Sequence, residues 1–183
     1  MVHPVIMNIK YLTGKNDGKR WKMIILGIDP GLASTGFGVI RCDGPAPVLL
    51  RCGSVRTLSR DAISIRLMQI HDDVSQIIEQ VRPGLVVLED VFSLVRYPRA
   101  GILLGSVLGV LYLTARQRGV PVEEISPKEI KNALVGYGNA GKKQIKNAVQ
   151  SMLKTGDISS FHAADALAVA LTAYYRMDRR RAV

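Results

Sequence analysis

Three strand-like segments follow one another with no helix between them, and every later strand-like segment is set off by a helical one. Along 183 residues, that order limits the fold more than any other feature. Residues 23–29, MIILGID, form a short apolar run with β-branched members that ends at Pro30-Gly31, as a buried strand entering a turn does. Residues 36–41 predict a second strand and 48–57 a third, with hairpin chemistry in Asp43-Gly44-Pro45 between them. Ile63, Leu67, Ile70, Val74, Ile77 and Val81 then recur at the spacing of an amphipathic helix that stops at Pro83-Gly84. A fourth strand over 85–91, an uncharged helix over 100–115 and a fifth strand over 120–125 follow. Ser126 and Pro127 supply an N-cap and first-turn proline for a helix through Leu134. Two more helices are predicted over 142–154 and 161–176. Such a chain is α/β, with a mixed five-stranded sheet and helices on both faces.

The hydrophobic fraction, 48%, is enough for one substantial core and excludes a disordered chain. The domain is expected over residues 23–176, with a disordered N-terminal extension over 1–22 and a basic C-terminal tail over 177–183. Residues 1–22 carry five basic side chains but no continuous apolar stretch, so they do not read as a secretory signal. Cys42 and Cys52 lack a second pair for a metal site and read as reduced cytosolic thiols, which places the chain in the cytoplasm. The uncharged run 100–115 carries Gly101, Gly105 and Gly109 at the spacing of membrane helix dimers, yet it is too short to span a bilayer. A buried helix packed on a sheet or on a second subunit is expected instead, with no membrane partner.

The formal charge of +10 points to a polyanion, but its distribution matters more than its size. The two ends supply +4 (residues 1–22) and +3 (residues 176–183), leaving +3 for the rest. Within that rest, Lys128, Lys131, Lys142, Lys143, Lys146 and Lys154 stand against Glu129 alone on one segment.

Asp29 ends the first strand, where open α/β sheets place ligands. Glu89 interrupts an apolar strand, and a carboxylate buried there without a partner would cost several kcal/mol, so it needs a cation. His162 and Asp165 lie three apart on a helix among small residues, which lets that helix approach the sheet and its polar face meet the strand-end carboxylates. Together the four offer ligation for a pair of divalent cations, Mg2+ or Mn2+, suited to phosphoryl hydrolysis. His162 is either a nitrogen ligand or a general acid or base, and the residues alone leave both open.

Residues 136–142, GYGNAGK, match parts of two nucleotide-binding motifs, but here they join two helices and Lys143 replaces the Ser or Thr of a Walker loop. The loop amides with Lys142, Lys143 and Lys146 suit a DNA phosphate better. Phe92 and Tyr97, with Arg96 and Arg99, form an aromatic and basic segment able to stack on unpaired bases.

GIDPG (27–31), GFGVI (36–40), LEDVF (88–92), PKEIKNALVGYGNAGK (127–142) and HAADALAVA (162–170) together resemble the RuvC family of Holliday-junction resolvases, over residues 23 to about 176. The resemblance implies an RNase H-like fold, a homodimer, and metal-dependent nicking of two strands of like polarity in four-way junction DNA, with two cations per site. It also implies the RuvA and RuvB branch-migration proteins as partners. Asp29, Glu89 and Asp165 match the family's catalytic carboxylates, and Lys131 and Lys142 its basic residues near the scissile phosphate. Phe92 matches its junction aromatic, and His162 stands where many members have Asp. An ATPase or kinase of the actin-like superfamily, or an inactive junction-binding module, are the alternatives. The first lacks a second phosphate loop, and the complete carboxylate set argues against the second.

Overall fold

The computed structural model describes residues 23–43, 46–90 and 98–181. The extension at 1–22 and the aromatic segment at 91–97, including Phe92, Arg96 and Tyr97, lie outside the described residues. β1 (Ile24–Asp29), β2 (Ser34–Arg41) and β3 (Val48–Arg56) form an antiparallel meander. β4 (Leu85–Glu89) adds parallel to β1, and β5 (Val122–Ile125) parallel to β4, giving the order β3-β2-β1-β4-β5. This is the mixed five-stranded sheet that the order of segments predicts.

Strand alternation divides the core into two layers. Leu26, Ile28, Val86 and Leu88 face one side and pack with α1 (Ile63–Val81) and α2 (Pro98–Gln117). Ile25, Leu85 and Val87 face the other, against α3 (Pro127–Val135), α4 (Lys142–Leu153) and α5 (Phe161–Arg181). Because β1 and β4 are buried on both faces, they read as continuous apolar runs. Asp29 and Glu89 share the odd-numbered parity of Ile25 and Val87, so both belong to the face that α5 covers.

α5 lies unusually close to that face. A Cβ at Gly27 would stand 2.2 Å from the Ala166 carbonyl oxygen, and one at Gly36 would stand 2.1 Å from that of His162. Gly38 makes the same allowance for Leu167. The helix answers with Ala163, Ala164, Ala166 and Ala170, all fully buried. Glycines on two strands and alanines on one helix thus form a single contact that fixes where the first turn of α5 ends.

Three expectations need adjustment. The fifth strand starts at Val122, since Val120 N–H bonds back to Ala115 and Pro121 donates nothing to the ladder. α5 continues to Arg181, so the boundary expected at 176 falls inside a helix. Tyr174, Tyr175 and Met177 pack against the core there, and Arg176 makes hydrogen bonds of 2.8 and 2.6 Å to Glu129 of α3. Lastly, α2 extends beyond the uncharged run, and residues 99–117 are long and apolar enough to cross a membrane. Its Val107, Leu111 and Ala115 are instead buried against the sheet and α1. The glycines are not what brings it there: a Cβ at Gly105 or Gly109 meets nothing within 4 Å, and both face outward with Ile102 and Leu113.

Candidate active site

A cavity of about 450 Å³ opens at the C-terminal ends of β1 and β4. Asp29, Glu89, His162, Asp165, Lys131 and Lys142 all line it. Larger hollows lie elsewhere among the described residues, including one between α3 and the C-terminal part of α5 and one at the opposite end of the sheet. Neither gathers these carboxylates.

Each side chain arrives by a local cause. Asp29 and Glu89 end adjacent parallel strands, one residue past the paired Ile28 and Leu88. Ser160 caps α5, its hydroxyl accepting from Ala163 N–H at 3.1 Å and its carbonyl from Ala164 N–H, which turns His162 and Asp165 toward the sheet. Lys131 rides on α3, whose start is capped by the Ser126 hydroxyl. That helix ends at Gly136, where φ of +86° selects glycine. The loop then returns to α4, and Gln144 Oε1 accepts from Gly141 N–H at 2.8 Å, setting Lys142 at the first helical position. The 136–141 segment joins two helices, so it is no strand-to-helix phosphate loop.

His162 Nδ1 lies 2.8 Å from Asp29 Oδ2. An ionised carboxylate only accepts, so Nδ1 carries the hydrogen and Nε2 is left for another partner. Lys142 Nζ stands 4.0 Å from Asp165 Oδ2 with its side chain 71% exposed, near enough for attraction and free to move. Lys142 and the hydrogen bond from His162 do not balance the site. Burial raises the pKa of Asp29 above the ordinary carboxylate value, against the lowering effects of His162 and Lys142. Asp165 is raised by burial and then by the charge of Asp29. Glu89 is pushed up to about 7, by burial first and then by the charges of Asp29 and Asp165.

Among the described residues, no three His, Cys, Asp or Glu side chains form a ready-made metal cage. The donor set nonetheless fits divalent cations: oxygen-rich, partly buried and short of positive charge.

The shifts carry a testable sign. Between the ordinary carboxyl value of 4.5 and about 7, the folded protein holds a proton on Glu89 that the unfolded chain has released. Metal-free stability should therefore fall as pH rises through that window, by up to about 3 kcal/mol, and level off above it. Thermal melts in EDTA from pH 4.5 to 8, compared with Glu89→Gln, measure the effect. Added Mg2+ or Mn2+ should raise the melting temperature more at pH 8 than at pH 5. A wild-type profile parallel to that of Glu89→Gln would remove Glu89 as the cause.

The other sequence-selected residues lie apart. Lys143 is exposed on the first turn of α4 and Arg99 is exposed at the start of α2. Lys146 is directed at Asp157, 2.8 Å away, and does not line the cavity. Asp90 lines a neighbouring hollow with Lys128, Lys131 and Asn139. Sequence reasoning missed the direct bond from His162 to Asp29 and the glycine half of the α5 contact; the glycine signal was present at 27, 36 and 38, but nothing at those positions says what crosses them.

Residues 25–173 match the family model for crossover junction endodeoxyribonuclease RuvC. A protein of that name from Shewanella amazonensis is 43% identical over 152 residues, covering 83% of this chain and 87% of the relative. The Thermus thermophilus RuvC structure aligns with a TM-score of 0.77 at 34% identity, covering 85% of this chain and 97% of that one. The same protein in complex with Holliday junction substrate aligns at 0.79, again at 34% identity, over 85% and 96% of the two chains. The fold is thus RNase H-like, and a match spanning the sheet, the flanking helices and every residue of the cavity means that this chain belongs to the RuvC family of crossover junction endodeoxyribonucleases.

Proposed function

We propose that the protein resolves Holliday junctions in DNA recombination and repair, hydrolysing one phosphodiester bond in each of two strands of like polarity. The observation that carries this reading to particular residues is the convergence of Asp29, Glu89, His162 and Asp165 in one cavity rimmed by Lys131 and Lys142. Asp29, Glu89 and Asp165, with Nε2 of His162, would hold two divalent cations, which when bound acidify the attacking water and offset charge on the leaving 3′ oxygen.

The chain's own contribution is orientation and charge. His162 donates to Asp29 and fixes that carboxylate at the end of β1. Lys142, released from Asp165 once the acid cluster is neutralised, supplies positive charge to the phosphate in the transition state. Lys131, Lys143 and the loop amides beside Lys142 hold the DNA backbone, and Phe92, Arg96 and Arg99 meet the unpaired bases. RuvA and RuvB, the branch-migration proteins, are the partners this reading brings with it.

Incubation of a labelled synthetic four-way junction with Mn2+ or Mg2+ tests the assignment. Paired symmetric nicks, absent from linear duplex, are expected. The imidazole ligand predicts Mn2+ activity at least equal to that with Mg2+. ATP turnover without nicking would overturn the reading.

Two symmetric nicks call for two sites, and α2 offers a surface for a second copy. Ile102 is 71% exposed and Leu113 55%, with the uncrowded Gly105 and Gly109 between them on the same outward face. Small residues there let a second helix approach closely. The double change Ile102→Lys and Leu113→Lys should convert a dimer to monomer in sedimentation equilibrium while the melting temperature of the monomer stays near normal. An unchanged mass would remove α2 as the contact.

A further inference from the structure

α4 holds the α4–α5 connection at two places one helical turn apart. Lys146 Nζ lies 2.8 Å from Asp157 Oδ1 and 5.6 Å from the centroid of the Phe161 ring. Gln150 Nε2 donates to the Gly156 carbonyl at 3.0 Å and reaches Asp157 Oδ1 at 3.4 Å. Unlike Lys142, whose side chain is 71% exposed, Lys146 leaves only 20% of its side chain exposed. Its charge is engaged within the chain, at the surface, by the Asp157 carboxylate and the face of Phe161. Phe161 immediately precedes His162, so whatever holds the Phe161 ring also holds the first turn of α5, where His162 meets Asp29.

We infer that Lys146 is a positioning residue: with Asp157 and Phe161 it forms a clasp that sets the first turn of α5, and hence His162 and Asp165, against the strand-end carboxylates. This inference rests on the resolvase reading and replaces the expectation that Lys146 binds a DNA phosphate. A cation beside a helix N-terminus opposes the helix dipole, and Asp157 supplies the compensating charge. A displacement of about 1 Å at such a site can cost up to about a hundredfold in rate, so a modest clasp has leverage.

Lys146→Met keeps the apolar stem against Phe161 and removes the charge. Asp157→Asn makes the complementary change on a side chain that is 79% exposed, where folding is at little risk. Three readouts apply: amide hydrogen exchange at Ala163–Asp165, the salt slope of junction binding, and the single-turnover cleavage rate at saturating enzyme. Both variants are expected to speed exchange about tenfold, leave the salt slope unchanged and lower the rate about tenfold, with Lys146→Arg recovering most of the loss. A phosphate contact would instead lower the slope by about one on losing Lys146 and leave exchange alone. Any result other than faster exchange with an unchanged slope overturns the clasp. Absence of nicking by the unmodified protein would sink the resolvase reading instead, while the exchange and slope measurements still decide the role of Lys146.

Discussion

Asp29→Asn is expected to lower junction cleavage by at least about a thousandfold while junction affinity stays within a few-fold of normal. Asn keeps an oxygen that can accept from His162 Nδ1 at the observed 2.8 Å, so the first turn of α5 stays in place. What disappears is the negative charge with which Asp29 would hold the divalent cations. The same change should stabilise the metal-free protein. The charge of Asp29 contributes to the rise of both Glu89 and Asp165, so its loss relaxes both. Near pH 8 the variant should melt above wild type in EDTA, by a margin worth about 1 kcal/mol, and gain less from added Mn2+. Single-turnover cleavage, junction binding in Ca2+ and melts with and without metal separate these effects. Cleavage within tenfold of wild type would exclude Asp29 from the chemistry.

That β1 and β4 are interior strands of a mixed sheet was legible in the sequence because both lack the polar alternation of a solvent-facing strand, and Glu89 inside such a run has no comfortable alternative to a cation; the strand order itself came from the structure. The partnership of His162 and Asp165 with these carboxylates also followed from spacing, since three residues on a helix share a face and small neighbours permit close approach. Less was legible where two distant segments must agree. Gly105 and Gly109 show that one face of α2 is bare, but the same spacing serves a sheet, a membrane dimer or solvent, and the structure places it outward. Lys146 sits among five other lysines on its segment, and only the turn at 154–160 brings Asp157 to it. Charge followed the same pattern. The +10 of the whole chain is dominated by its ends, whereas the cavity itself is short of positive charge and raises its own carboxyl pKa values.

Gly27→Ala tests whether the glycine-lined contact builds the site. The added Cβ would meet Ala166 O at 2.2 Å, Ala170 N at 2.7 Å and Ala170 Cβ at 2.9 Å. Two of these three atoms are backbone, which no rotamer change can move, so α5 itself must shift away from β1. Overpacking of this kind costs about 3 kcal/mol or more, a fall of roughly 6–12 °C in melting temperature for a domain of this size. Trimming the partner should not repair it: Gly27→Ala with Ala170→Gly removes only the Cβ clash and stays close to the single variant. Gly53→Ala provides the contrast. Its Cβ would meet the end of the Phe37 ring at 2.9 Å, a side chain on an adjacent strand that can tilt, and about 1 kcal/mol is expected there. Cleavage should fall with Gly27→Ala even below its melting transition, because the same shift carries His162 and Asp165 away from Asp29. A Gly27→Ala protein as stable and active as wild type would mean that α5 tolerates a wider spacing, and that the close approach of helix to sheet is not what assembles the carboxylates.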